Sequence, residues 1–162
     1  MSDPRVFMAF PPFYTETSRL LILGSFPSVL SRKQNFYYGN PRNRFWNTLA
    51  SLAGEAAPQS VPDKKDFLTR HDIALWDVVK QCKIKGSLDS DITDYTIQNI
   101  PELLNNAPDI ELIAMNGGTA FRLFKRAFPQ YDNVVALPST SPANTRFDYA
   151  VWEQNIGRFL KR

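Results

Sequence analysis

The chain has a single cysteine, Cys82, and a single histidine, His71, in 162 residues. One cysteine excludes an internal disulfide framework and any four-cysteine zinc or iron–sulfur site built by one chain. With one histidine beside it no His/Cys cluster forms, so no metal centre is expected, although carboxylates alone can hold a magnesium ion. No apolar run approaches the roughly 18 residues that a membrane span requires, and no signal-peptide core is visible. A soluble, intracellular protein is expected. Repeats, low-complexity tracts and long linkers are also absent, so residues 1–162 read as one domain.

What is present is ordinary in amount and specific in arrangement. An apolar content of 43% and a charged content of 22% suit a globular fold and argue against disorder. The net charge of +3 is a mild basic excess that suits an anionic partner. Four apolar runs, "RLLILG" (19–24), "IALWDVV" (73–79), "IELIAMN" (110–116) and "NVVALP" (133–138), are nearly continuous rather than alternating. Strands buried on both faces have that pattern. Helical spacing appears between them: Phe45, Trp46, Leu49 and Leu52 in 43–54; a proline-led segment at 61–72; Phe121, Leu123, Phe124 and Phe128 in 117–128. A last helix over about 146–160 carries Phe147, Val151, Trp152, Ile156 and Phe159 inward. "AFPPF" (9–13) is a stiff lead-in. The expected fold is an α/β three-layer α/β/α sandwich around a central four-stranded parallel sheet.

In an open α/β sheet, ligands bind beyond the carboxyl ends of the strands. Here those ends run into "GSFPS", "DVVKQCKIKGSLDSD", "NGGT" and "LPSTSPAN", which the topology collects on one rim. "GSFPS" is not a nucleophile elbow, because neither serine has both flanking glycines. His71, beside Asp72 at the end of a helix, is expected as a surface or cap residue rather than a catalytic one. "NGGTAF" lacks the spacing of a dinucleotide fingerprint and the lysine of a phosphate loop. What remains is a rim of Ser, Thr, Asn, Gly and Pro with scattered Arg and Lys. Short hydroxyls and turn amides suit phosphodiester oxygens, and Phe36, Tyr37 and Tyr38 offer flat faces on which a base can stack.

"GSFPS … YYGNPRNRFW" resembles the first motif of the uracil-DNA glycosylase superfamily, and "LPSTSPAN" resembles its second. The spacing is that of the mismatch-specific uracil/thymine branch. "FPP", "GSFPS", "YYGNPRN", "LWDV", "GSLDS", "NGG" and "LPSTSPA" together are most similar to the hypoxanthine-DNA (deoxyinosine) glycosylase branch. Two positions depart from relatives. Phe26 stands where they place a water-activating Asp or Asn, and Leu137 stands where the uracil-specific branch has histidine.

The resemblance implies a glycosylase of base excision repair that acts on DNA containing deaminated bases, without a cofactor. The protein would be a cytoplasmic, nucleoid-associated monomer. An asparagine of "NPRN" is implied as catalytic, Asn43 first and Asn40 second, holding the attacking water; Asn43 could equally cap the helix that follows. Tyr38 is implied as the stacking platform. Ser25, Phe26, Asp77 and Asn116 complete the expected base-binding set. Ser28, Arg42, Ser139, Thr140 and Ser141 are expected on DNA phosphates, with the Ser141-Pro142-Ala143 turn pushed into the gap left by the flipped base. A carboxylate at Asp77 would accept the ring N–H of hypoxanthine and repel the ring lone pair of adenine; its alternative duty is to cap a turn. Rival readings are a mismatch-specific uracil/thymine glycosylase, a catalytically inactive damaged-DNA-binding domain, and a hydrolase of free nucleosides.

Overall fold

The computed structural model describes residues 5–26, 36–84 and 93–161, and only the backbone of 5–8, 83, 84, 93 and 94. Ser28 and the "GSLDS" segment lie outside the described residues. In chain order the elements are β1 (Arg5–Met8), β2 (Leu20–Gly24), α1 (Phe45–Ala53), α2 (Val61–Arg70), β3 (Ile73–Asp77) and β4 (Val79–Ile84). There follow β5 (Thr93–Ile97), α3 (Ile100–Asn106), β6 (Leu112–Asn116), α4 (Gly118–Ala127), β7 (Val134–Leu137) and α5 (Tyr149–Leu160).

The four expected strands form one parallel sheet in the order β3-β2-β6-β7. Successive residues of β2 face opposite sides, and both sides are covered. Leu20 and Ile22 pack among Phe45, Leu49, Leu68, Trp152 and Ile156 of α1, α2 and α5. Leu21 and Leu23 pack among Leu103, Ala120 and Phe124 of α3 and α4. All four β2 side chains are completely buried, which is why the strand shows no polar alternation. The α/β/α sandwich follows from that double coverage.

Helix starts are fixed by short polar side chains. Ser60 accepts from Asp63 N–H at 3.1 Å, Asn99 from Glu102 N–H at 3.3 Å, and Asp148 from Ala150 N–H at 3.0 Å. The seven-residue α3 has no expected counterpart. It shows less than two turns of apolar spacing, and its cap and its proline at position 101 were its only local signals.

A second sheet also departs from expectation. β1, β4 and β5 form an antiparallel three-stranded sheet in the order β1-β4-β5. "DVVKQCKIKG", read as part of a polar rim loop, is therefore strand from Val79 to Ile84. Its lysines and glutamine gave it the composition of a loop, while Val79 and Cys82 are fully buried. Val78 joins the two sheets and is pinned by its N–H to Gly24 O at 2.8 Å, followed by Val79 N–H to Ser25 O at 3.1 Å. The 9–13 lead-in closes the edge of the parallel sheet: Phe13 and Leu75 exchange backbone hydrogen bonds of 2.9 and 2.8 Å.

Candidate active site

The register sets the carboxyl ends of the four strands in one row. Gly24 pairs with Asp77, Leu23 with Met115 one step below, and Asn116 with Leu137. The turn after Gly24 and the segments that follow Asn116 and Leu137 leave from that row. Gly24 has no room for a side chain. A Cβ there would lie 2.7 Å from Asp77 Oδ1 and 3.0 Å from the Tyr38 hydroxyl oxygen. A phenol and a carboxylate from separate parts of the chain thus meet over one bare backbone position. Asp77 is only 3% exposed.

Tyr38 reaches this point at a conformational cost. Its φ of 54° is left-handed, unusual for a bulky residue and typical of functional sites when it does occur. Behind it the ring stacks on Phe45, with centroids 3.9 Å apart and planes 21° from parallel. Phe45 is fully buried and belongs to the first turn of α1, so Tyr38 leans on the rigid core. Tyr37, next in line, is buried and donates its hydroxyl to Pro11 O at 2.8 Å. Burial, then the negative charge of Asp77, then Tyr38 push its phenol well above the ordinary range, so it stays neutral.

The two asparagines occupy the other side of the same loop. A pocket of about 280 Å³ is lined by Tyr38, Asn40, Asn43, Trp46, Gln59 and Lys64, among others. Asn43 Oδ1 accepts from Phe45 N–H at 2.9 Å, and Asn40 Oδ1 accepts from Arg42 N–H at 2.9 Å. Asn43 therefore does serve the helix start, bonding the first residue of α1. Among the described residues, neither amide's NH₂ end makes a hydrogen bond. Arg42 itself is exposed.

The second-motif loop is built differently from expectation. Thr140 was expected on DNA phosphates, but it is fully buried, and Asn116 was expected on the base. They bond each other instead: Thr140 N–H donates to Asn116 Oδ1 at 3.0 Å, and Asn116 Nδ2 donates to Thr140 Oγ1 at 2.9 Å. A buried amide must find partners, and this residue satisfies both of its ends. Gly117, at a φ of 102°, lets Ser139 pass within 3.2 Å of where a Cβ would stand. Ser139 and Ser141 hydroxyls accept from Ser141 N–H and Ala143 N–H at 3.1 and 3.2 Å, shaping a turn whose Pro142 and Ala143 are exposed.

Arg44 ties the two motif loops together and had been given no role. Its N–H donates to Thr140 O at 3.0 Å, and its guanidinium donates to Ser141 O at 3.0 Å and Asn144 O at 3.2 Å. It also lies over the Phe147 ring at 5.4 Å. The arginine was visible in "NRFW", but nothing local said what it would hold.

The Uracil DNA glycosylase superfamily model matches residues 11–155. The chain belongs to that superfamily. Among its superfamily relatives, a "Hypoxanthine DNA glycosylase" of Methanosarcina barkeri is 40% identical over 141 residues, 85% of this chain and 87% of that one. A protein of the same name from Methanosarcina acetivorans is 37% identical over 139 residues, 85% and 88% of the two chains. A solution NMR structure of a proposed uracil DNA glycosylase from Methanosarcina acetivorans superposes with a TM-score of 0.81 at 34% identity, covering 96% of this chain and 99% of that one.

The two departures from superfamily pattern are both apolar in their setting. Phe26 packs against Val79 and Cys82, where the parallel sheet hands over to the second one. Leu137 is 2% exposed and part of the core. Ser25 is buried beside Gly24, and its carbonyl holds Val79. His71 is the C-cap of α2 but not a surface residue. It is buried with Nε2 2.6 Å from Glu55, remote in role from the rim. Among the described residues, no helix is long and apolar enough to cross a membrane.

Proposed function

We propose that the chain is a monofunctional DNA glycosylase that excises deaminated bases, chiefly hypoxanthine, from DNA in base excision repair. The observation that carries this reading is the meeting of Tyr38 and Asp77 over Gly24 at the carboxyl ends of the sheet. A flipped base is the ligand that needs both an aromatic platform and a buried hydrogen-bond acceptor. Flipping costs a few kcal/mol, less for a poorly paired base, and that already favours inosine over adenosine. The Tyr38 ring, braced by Phe45, takes the base, and Asp77 accepts its ring N–H. Adenine presents a lone pair at the same position, which a carboxylate repels.

Breaking the N-glycosidic bond leaves negative charge on the departing base and an oxocarbenium-like sugar. Amide donors of the rim stabilise the first, as an oxyanion hole does. Water then attacks the sugar, and the proton it gives up is taken by the departing base anion. An asparagine amide is a poor base, so Asn43, with Asn40 as second choice, positions that water rather than deprotonating it. Ser139, Ser141 and Arg42 meet the flanking phosphates, and the exposed Pro142–Ala143 turn fills the gap. Arg44 and the Asn116–Thr140 pair hold that turn in place. The partner is DNA, and no cofactor is required by any step.

The test is a duplex carrying one deoxyinosine, incubated with excess protein and then treated with alkali. Strand cleavage at that position supports the reading, and the same assay on uracil, xanthine and thymine mismatches ranks the substrates. A second reading rests on Phe26, whose apolar setting supplies no group to activate water. It makes the protein a damaged-DNA binder without activity. Tight binding of the inosine duplex with no alkali-labile product would establish that instead.

A further inference from the structure

The pocket behind the Tyr38–Asn43 loop contains a cation that the chemistry above does not use. Lys64, from α2, is 7% exposed and lines the pocket with Asn40, Asn43, Asn47, Gln59 and Trp46. Among the described residues its ammonium makes no hydrogen bond or ion pair; its only recorded partner is the Trp46 ring, 5.3 Å away. A ring face offsets only part of the cost of taking a cation out of water. Burial accordingly pulls the Lys64 ammonium below the usual lysine range.

The rest of the lining is biased the same way. Among the described residues, no acidic one contributes to it. The oxygens of Asn40 and Asn43 are already taken by Arg42 N–H and Phe45 N–H, and among the described residues no acceptor is bonded to their NH₂ groups. Gln59 by contrast donates its NH₂ to Ala57 O at 3.3 Å. The pocket therefore offers an ammonium and two amide donors, and lacks the carboxylate that would neutralise them. Neither Gly24 and Asp77 nor the 139–143 turn lines it. It is a recess beside the base site that shares Tyr38 and Asn43 with it.

From this we infer that the recess around Lys64 is a phosphate-binding subsite, with Lys64 and the amide of Asn40 holding one phosphate group. Its DNA source, a phosphodiester next to the flipped nucleotide, rests on the glycosylase reading; a free phosphate does not. An occupied subsite would pull the loop that carries Tyr38 and Asn43 against the strand.

Two measurements on the full chain separate the sources. The first is the slope of log Kd against log salt for an undamaged duplex, in wild type, Lys64→Met and Lys64→Arg. Loss of one phosphate contact lowers the slope by about 0.9 and weakens binding several-fold at low salt, equally for all sequences. Lys64→Met should do this and Lys64→Arg should not. The second is titration of the wild type with inorganic phosphate, followed by the Trp46 indole N–H resonance. A saturable shift that Lys64→Met abolishes, with unchanged DNA slopes, assigns the subsite to free phosphate. The phosphate arm needs no variant to fold in order to give a first answer. Unchanged slopes together with no phosphate-dependent shift overturn the inference and leave Lys64 as a packing residue over Trp46. Absence of base excision would refute the glycosylase reading without touching either measurement.

Discussion

The two ends of the parallel sheet are held together by opposite means. At the amino ends, charges are paired. Arg19 meets Glu111 at 2.7 Å, and Arg158 meets the same carboxylate at 3.2 Å. Beside them Arg70 bridges Glu55 and Asp66, and His71 closes on Glu55. At the carboxyl ends the loops are tied by hydrogen bonds to neutral acceptors: Asn116 with Thr140, Ser141 N–H to Ser139, and Arg44 to backbone carbonyls. Among the described residues, Arg42, Arg44 and Lys64 form no ion pair there. One end pairs its charges internally, while at the other, among the described residues, the cations stand without a carboxylate partner.

Substitutions at the two ends should therefore separate cleanly into activity and stability. The largest effect is expected for Asn43→Ala. Loss of water positioning should lower single-turnover excision on the order of a hundredfold or more, with DNA affinity within a few-fold. Should Asn40→Ala do this while Asn43→Ala stays near wild type, the roles of the two asparagines are exchanged. Asp77→Asn comes next. The amide oxygen still accepts from hypoxanthine, but its NH₂ can now donate to adenine, so selectivity should fall roughly ten- to a hundredfold. The ratio of single-turnover rates on the two bases measures it; an unchanged ratio makes Asp77 structural.

Tyr38→Ala should weaken capture of the flipped base by roughly 1–3 kcal/mol, whereas Tyr38→Phe keeps the ring and most of the activity. Equal damage from both would shift the role to the hydroxyl beside Gly24. At the opposite end, Glu55→Gln should leave excision intact and lower stability by about 1–2 kcal/mol at neutral pH. The hydrogen bond from His71, helped by Arg70, holds the Glu55 carboxyl below its usual range. That contribution is present above about pH 4.3, the unfolded value, and is lost as pH falls through the lower folded value. Urea midpoints of wild type and variant should accordingly differ at pH 7 and converge only once the pH has fallen below the lowered folded value. The smallest change is expected for Arg158→Ala, an exposed partner of Glu111, whose loss should barely move the urea midpoint, and less so in high salt. A larger loss would mean that the paired end contributes more than surface ion pairs ordinarily do.

The parallel sheet was legible because burial on both faces leaves an unmistakable trace in composition: Leu20 to Leu23 contain no polar residue. Strand β4 was not, since Lys80, Gln81 and Lys83 have the composition of a loop, and only pairing with β1 and β5 makes the segment a strand. Helix α3 was too short to show periodicity. At the site, the motifs pointed to Tyr38, Asn40, Asn43 and Asp77 as residue types with a shared chemistry. They did not show that Tyr38 and Asp77 meet over Gly24 while the asparagines open into a recess on the other side.

The sequence by itself determined the layers of the fold, the rim on which a ligand would lie, and the superfamily motifs along it, because each is written in runs of neighbouring residues. Only the tertiary structure decided which polar groups stay available. Thr140 sits in a loop whose hydroxyls looked accessible, yet it is satisfied by an amide 24 positions away, and Arg44 reaches carbonyls 97 and 100 positions away. A buried donor or acceptor must be paired, and the partner is chosen by how distant segments approach one another. Spacing along the chain carries no record of that choice.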